Sequence, residues 1–309
     1  MKSNKIGHFA ALFTIIIWGT TFISTKVLLA DFKPIEILFY RFIMGYAALF
    51  AIYPRRLKDV GARRELIFAA AGLCGVCLYY LLENIALTYT LASDTGVIIS
   101  SAPFFTAIFS CVFSKGAEKP RARFFVGFAA AMAGIALISF GGGAQESGEL
   151  GERLFGDFLA LLAAAVWGLY SILTKKISAF GYPTIPATRR TFFYGIIFMI
   201  PALFIFDFEF KPALFAEPKY LLNMLFLGLL ASALCFVSWG FSVGKLGAVA
   251  ASVYIYAVPV VTLIASALIL GERVTPCALA GAALTIAGLF IGGKAPEKTA
   301  AQNKGDIYE

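Results

Sequence analysis

Residues 11–28 read ALFTIIIWGTTFISTKVL and residues 160–177 read ALLAAAVWGLYSILTKKI. Each is an apolar run with a Trp-Gly pair near its centre and a lysine eight residues beyond the tryptophan. The second is the first displaced by 149 positions: Trp18, Gly19, Lys26 and the later Arg41 become Trp167, Gly168, Lys175 and Arg190. Further along, Ala102-Pro103 matches Val258-Pro259, Glu118-Lys119 matches Glu272-Arg273, and Gly127 and Gly134 match Gly281 and Gly288, at offsets of 156 and 154. Changes in loop length produce that drift. Two copies that each hold an odd number of spans must sit inverted in a bilayer, which is the build of many secondary transporters.

Composition places the whole chain in lipid. Of its residues 60% are hydrophobic and only 14% charged, with a mean hydropathy of +0.83, against ~25% charged in an ordinary soluble domain. A helix needs about 20 mostly apolar residues to cross the hydrocarbon core. Ten stretches qualify, at residues 8–28, 35–53, 66–88, 94–113, 123–141, 156–175, 187–206, 220–241, 248–270 and 276–293. The expected fold is an all-α membrane protein with ten transmembrane helices in two inverted-topology five-helix repeats. Its parts are a first repeat over 1–143, an acidic external linker over 144–155, a second repeat over 156–293 and a polar cytoplasmic tail over 294–309 whose composition favours disorder. The first apolar run is too long for a signal-peptide core, and Lys26 follows it where a small-residue cleavage pattern would stand, so it reads as an uncleaved span.

Setting the N-terminus in the cytoplasm gathers most of the 26 basic residues inside, among them Arg55, Arg56, Arg63, Arg64, Arg189 and Arg190. The outer loops then hold Glu146, Glu149, Glu152, Asp207, Glu209 and Glu217. This obeys the positive-inside rule, and an even number of spans returns the C-terminus to the cytoplasm, here the bacterial inner membrane's inner face. The same bias accounts for the net charge of +8. No basic helix with interleaved aromatics stands outside the spans, so nucleic acid is not an expected partner. Membrane lipid and a small-molecule substrate are.

Cys74-Gly-Val-Cys77 has redox spacing but no second pair, and His8 is the only histidine. The five cysteines read as small buried hydrophobes, with no metal and no cofactor expected. Walker, Gly-x-Ser-x-Gly and His-Glu-x-x-His motifs are absent from the sequence, which leaves ATP-driven transport and the commoner hydrolase chemistries without support. The chain is not expected to be an enzyme.

Polar residues inside a span are costly and therefore informative. Glu83 is the only acid well within a span, with Asn84 beside it and Tyr79 and Tyr80 one turn below. At 1.5 Å per residue it lies roughly 25 Å along its helix from Leu66. Arg41 enters its helix from the same side, and Lys26 lies near that end of the first helix. Two readings stand for this trio: an ion pair that lets helices be buried together, or a substrate or proton site, with proton coupling as a consequence. Lys175 and Arg190 repeat the bases near the opposite face, where Trp239 stands at the position matching Glu83. An acid-dependent step would thus belong to one half only.

Trp18 and Trp167 fall near mid-membrane, where inverted-repeat transporters hold substrate, although a Trp-Gly pair equally serves helix packing. Trp239 and Tyr254 are further aromatics within spans. Pro103 and Pro259, mid-way along the fourth and ninth helices, each remove a backbone donor and kink or open the helix. The freed carbonyls must meet protein or a wet cavity, and Ser100, Ser101, Thr106, Ser252, Tyr254 and Tyr256 supply hydroxyls nearby. Gly127, Ala131, Gly134, Gly281 and Gly288 form small-residue faces suited to tight helix packing.

The paired Trp-Gly motifs, the Glu83-Asn84-Ile-Ala-Leu87 stretch, the run ending Ile-Ile-Ser-Ser-Ala-Pro103, and Leu-Gly-Glu272-Arg273 followed by Gly281 and Gly288 resemble the EamA family of the drug/metabolite transporter superfamily. The likeness covers residues 7 to 293 and both halves. One departure is Ser114-Lys115-Gly116-Ala117-Glu118, where the second half has a tidier Leu-Gly-Glu. The resemblance implies a ten-helix bundle with a central cavity and alternating access, exporting amino acids or other small metabolites. By position, the cavity would be lined by helices one, three, four, six, eight and nine, making Trp18, Tyr79, Glu83, Asn84, Trp167, Trp239 and Tyr254 candidates for substrate contact. Exchange of an organophosphate or other anion through Lys26, Lys175 and Arg190 is the alternative. A membrane enzyme or a non-transporting scaffold ranks below both.

Overall fold

Lipid offers no partner to backbone N–H and C=O groups, so an apolar chain of this kind must satisfy them within helices. The computed structural model describes residues 2–57, 60–89, 92–113, 122–140, 150–270 and 274–293, and they form one separate 3-10 turn, Pro212–Ala216, and ten helical segments. These are α1 (Lys2–Leu28), α2 (Pro34–Ile52), α3 (Ala62–Tyr89), α4 (Ala92–Ile99 and Ala102–Phe113), α5 (Ala122–Phe140), α6 (Leu150–Ser178), α7 (Thr184–Ile205), α8 (Pro218–Leu246), α9 (Ala248–Ile269) and α10 (Pro276–Gly293). Seven are long and apolar enough to cross a membrane, and α4, α5 and α10 are shorter apolar helices. Their outward faces are greasy. Leu268 is 81% exposed and Phe204 80%, which suits a lipid-facing surface and would be untenable in water.

Most boundaries fall where the apolar runs place them, with one instructive exception. The sixth helix begins at Leu150, so residues 150–155 of the expected linker are helical. Glu118-Lys119, Glu272-Arg273, the rest of the linker and the tail from 294 lie outside the described residues. Between α8 and α9 the chain turns on a single residue, Gly247, whose φ of 88° is in the left-handed region open to glycine.

Packing between the halves is reciprocal. α1 lies against α8 and α9, and α6 lies against the equivalent α3 and α4; α2 packs on α7, and α5 on α10. A two-fold relation exchanging the halves generates this pattern, and with five spans in each copy it amounts to inverted topology.

The closest crossings repeat as well. A methyl placed on Gly72 of α3 would come within 2.6 Å of the backbone of Gly195 and Thr191 in α7. In the mirror crossing, one on Gly228 of α8 would meet Met44 Cβ at 2.9 Å and the Arg41 carbonyl at 3.2 Å in α2. The helix widens into π-helical turns just after Gly72, over Leu73–Leu78 in α3, and around Gly228, over Phe226–Leu234 in α8. Such widenings cluster at functional sites. The faces of α5 and α10 meet as closely: Gly134 and Gly281 each abut the other's carbonyl, 2.5 Å from where a methyl would stand.

Candidate functional site

The three tryptophans, scattered in sequence over α1, α6 and α8, converge at the centre of the bundle. Trp18 stands edge-on to Trp167, with centroids 5.2 Å apart and planes at 82°, and 5.3 Å from Trp239. Phe236, one helical turn before Trp239, touches Trp18, Trp167, Tyr80, Tyr170, Phe42 and Phe192. Each such ring pair contributes about 0.5–1.5 kcal/mol beyond area burial, so this aromatic layer is well braced. The Trp18 indole donates to the Ala231 carbonyl at 3.0 Å, within the π-helical part of α8. The indole nitrogens of Trp167 and Trp239 are buried without a partner. Unsatisfied donors are rare in protein interiors and call for an occupant or a cost.

The Trp-Gly pairs serve this convergence through their glycines. Gly19 of α1 lets α9 approach until Val261 is 2.5 Å from where a methyl would stand, and Gly168 of α6 does the same for Phe105 and Thr106 of α4. Those contacts follow directly on the two prolines. α4 breaks at Ser100-Ser101, just before Pro103, and Ser100 and Ser101 donate to the carbonyls of Gly96 and Ile98. α9 tightens to a 3-10 turn over Val253–Ala257, just before Pro259, and Thr262 there donates to the Gly19 carbonyl at 2.7 Å.

Against one side of the layer lies a cavity of about 40 Å³, lined by residues that include Trp18, Thr21, Phe22, Tyr79, Tyr80, Glu83, Ser100 and Trp167. Glu83 is 7% exposed and one of its carboxylate oxygens, Oε2, has no hydrogen-bond partner. Arg41, equally buried, does not form an ion pair with it. Its Nε donates to Ser232 Oγ at 3.0 Å and its guanidinium lies 4.2 Å from the centroid of Tyr80, while Nη2 is unpartnered. Of the two readings of this trio, the direct Arg41–Glu83 ion pair does not form; the cation rests on an aromatic face, and Glu83 lines the cavity with Oε2 buried and unpaired.

On the layer's other side opens a vestibule of about 410 Å³ between α6, α7 and α8, with Tyr170 and Phe236 at its base and Thr174, Ser178, Thr184, Thr188, Thr191 and Lys245 on its walls.

Equivalent loops close the two ends of the bundle with different chemistry. At the α1–α2 end the side chain of Glu36 is fully buried and accepts backbone N–H bonds from Lys33 (2.9 Å) and Glu209 (3.1 Å), with Lys211 Nζ at 3.5 Å. Lys33 Nζ reaches Glu209 Oε1 at 2.7 Å, and the Tyr220 hydroxyl donates to Asp31. The Glu209 carboxylate raises the Lys33 pKa; Lys33 and then Lys211 lower that of Glu209. At the α2–α3 end Arg64 donates to the Tyr182 hydroxyl at 2.9 Å and lies over the Phe180 and Tyr182 rings, which also pack on Phe68. Arg190 binds Glu65 through two nitrogens, and Tyr194 donates to the same carboxylate at 2.7 Å.

The remaining sequence candidates are dispersed. Asn84 is buried and donates to the Pro34 carbonyl at 3.3 Å, a tie between α3 and α2. The Tyr254 hydroxyl meets His8 Nδ1 at 2.7 Å; its neighbours Ile255 and Val258 line the cavity. Lys26 is exposed, Lys175 half-buried, and Trp239 fully buried at the layer's back. Phe236, Tyr170 and Thr21 were not singled out from sequence. Each lies three residues from a tryptophan, Trp239, Trp167 and Trp18 in turn, and so on the same helix face. Among the described residues no group of three or more His, Cys, Asp or Glu side chains could hold a metal.

A ten-segment helical membrane bundle with reciprocal halves around an aromatic and acidic cavity is the architecture of a small-molecule transporter. The EamA-like transporter family model matches residues 5–140 and 154–292, and the chain belongs to that family. It is 29% identical to an uncharacterized transporter of Archaeoglobus fulgidus over 93% of this chain and 97% of that one. It is also 29% identical, over 94% of both, to a probable terminal-alkyne amino-acid exporter of Streptantibioticus cattleyicolor. A solved crystal structure, 18% identical over 94% of this chain and 97% of its own, superposes with a TM-score of 0.73, a likeness of fold. The protein is a multi-pass membrane transporter and not an enzyme.

Proposed function

We propose that this protein exports a small amphipathic metabolite of the amino-acid class across the cytoplasmic membrane by alternating access. The observation that carries the reading is Glu83: a buried acid, one of its oxygens unpaired, that lines a cavity together with Tyr79, Trp18 and Trp167. A carboxylate framed by aromatic faces suits an ammonium group, which both attract. Support comes also from the relative named as a probable terminal-alkyne amino-acid exporter. Both termini are cytoplasmic in this reading, because Arg55, Arg56, Arg63 and Arg64 around the α2–α3 loop share one end with Arg189 and Arg190 in the first half of α7. The vestibule at that end then opens inward. Glu83 alternately takes up substrate and a proton, which couples export to the proton gradient.

The anion alternative needs bases at the cavity. Lys26, Lys175 and Arg190 do not line it, and Arg190 is held by Glu65. Proteoliposomes loaded in turn with amino acids, nucleosides and sugar phosphates, with and without a proton gradient, test the proposal. Amino-acid flux should respond to the gradient and fall at least tenfold in Glu83→Gln, equivalent to ~1.4 kcal/mol. Normal flux in that variant across the pH range would end the role of Glu83. Sugar-phosphate exchange abolished by Lys175→Ala would establish the anion reading instead.

A further inference from the structure

The central cavity and the vestibule differ tenfold in volume and carry opposite charge. About 40 Å³ beside Glu83 holds water and no metabolite, whereas about 410 Å³ is the size of a small-molecule site. Of these two cavities, the vestibule is the one with room for a substrate in this conformation. Its walls carry threonine and serine hydroxyls from α6 and α7, namely Thr174, Ser178, Thr184, Thr188 and Thr191. Lys245, the single cation among the lining residues, stands at its mouth on the last turn of α8. The Lys245 ammonium forms no ion pair among the described residues and sits 5.6 Å from the Phe241 ring.

The two charges are too far apart to hold one amino acid at once. Trp239 to Lys245 spans six residues of helix and Tyr79 to Glu83 four, with the Trp167 ring between Trp239 and Tyr79. At 1.5 Å per residue, and with the ring layer added, the separation is on the order of 20 Å, several times the reach between an amino group and its α-carboxylate.

We infer that the vestibule is a separate binding site for the carboxylate of the cargo, held by Lys245 and the hydroxyl wall, from which the molecule passes the Tyr170–Phe236 floor to the Glu83 cavity. The inference rests on the amino-acid reading for its cargo, though its chemistry needs only a small carboxylate. The hydroxyls supply adaptable hydrogen bonds. Lys245 supplies charge in a wet setting, so the attraction is moderate and salt-sensitive.

The test is equilibrium binding to the full-length protein in nanodiscs, read by intrinsic tryptophan fluorescence and by calorimetry. The probes are L-phenylalanine, L-leucine and phenylacetate, with L-phenylalaninamide and inorganic phosphate as controls. The carboxylates should bind saturably, and Lys245→Gln should weaken them about fivefold while leaving the amide within twofold. Lys245→Arg should restore binding, and Thr188→Val should weaken carboxylates without changing the salt dependence. Glu83→Gln should abolish transport yet leave vestibular binding within twofold. Lack of saturable carboxylate binding by the wild type would overturn the inference. So would equal losses for acid and amide in Lys245→Gln, or tighter binding of phosphate than of the carboxylates. If carboxylates bind through Lys245 but no amino acid is transported, the proposed function fails and the site stands; transport with a binding site indifferent to Lys245 gives the reverse.

Discussion

Arg41 and Arg190 occupy matching places in α2 and α7, and the protein uses them in opposite ways. Arg190, a third exposed, is gripped by the Glu65 carboxylate at the rim of the α2–α3 end. Arg41 reaches across to α8, as the repeat requires, but the position matching Glu65 there is Leu221, and it finds the hydroxyl of Ser232 and the face of Tyr80 instead. The halves share a backbone plan and diverge in charge. A two-fold frame lets either end open; unequal locks decide which conformation is favoured, because an equilibrium shifts only through interactions that differ between its states.

The largest difference expected between the ends lies in Glu36. Its buried carboxylate accepts two backbone N–H bonds and faces Lys211, and no comparable buried acid closes the other end among the described residues. Glu36→Ala should cost about 3 kcal/mol, at about 1.5 kcal/mol for each charge-assisted bond. Thermal unfolding in detergent measures this. Arg64→Ala, which removes an exposed cation from two rings, should cost under about 1 kcal/mol. Equal losses would erase the distinction between the ends.

Next come the helix crossings. Gly72→Ala forces a methyl against backbone atoms that cannot retreat and should cost about 1–3 kcal/mol. Gly228→Ala meets Met44 Cβ at 2.9 Å and the Arg41 carbonyl at 3.2 Å, a slightly looser fit than the 2.6 Å backbone contacts at Gly72, and should cost about 1–2 kcal/mol. A reversed order would place the stiffer crossing at α8 with α2.

Third, the two arginines are compared directly by Lys substitution. Lysine has no Nε donor and no planar fork to lie on Tyr80, so Arg41→Lys should slow transport about tenfold, or ~1.4 kcal/mol. Arg190→Lys keeps a charge beside Glu65 and should change the rate less than threefold, in keeping with a rim pair worth ~0.5–1 kcal/mol. Both are read from initial rates in proteoliposomes at matched expression.

Much of the frame was legible because it is a property of one-dimensional pattern. The 149-residue echo of Trp18-Gly19 marked the duplication, apolar run length marked ten segments, and the Gly127 and Gly281 faces marked α5 and α10 for tight packing, though not each as the other's partner. What sequence did not disclose is which way side chains face across a π-helical turn. Counting about 1.5 Å per residue along α2 and α3 places Arg41 and Glu83 in the same part of the bilayer but takes no account of the widened Leu73–Leu78 segment below Glu83. Depth survives that change and azimuth does not. Asn84 likewise looked like a site residue because it adjoins Glu83; on a helix, adjacent residues point about 100° apart, and its amide faces α2.

The smallest expected effect is a pH dependence that is stronger at one end than at the other. The Glu209 pKa is lowered, so its contribution to the lock is present above the ordinary carboxylate range and lost as pH falls through the depressed value. The Lys33 pKa is raised, so its contribution is present at neutral pH and lost as pH rises through the raised value. The lock is therefore complete between these limits; the acid side fails as pH falls below the ordinary carboxylate range and the basic side as pH rises above the ordinary lysine range. Both groups are exposed, so the effect is slight and weakens with salt. Spin labels at Ala30 and Phe210, across the α1–α2 and α7–α8 segments, should show a wider distance distribution in acid that reverses on neutralisation. A second pair at Ala62 and Gly181, across the other end, should widen less, since its Arg64 latch on Phe180 and Tyr182 contains no carboxylate and the one acid there, Glu65, is held by both Arg190 and Tyr194. Equal widening at both ends would mean that acid loosens the bundle as a whole and that the charge lock has no separate existence.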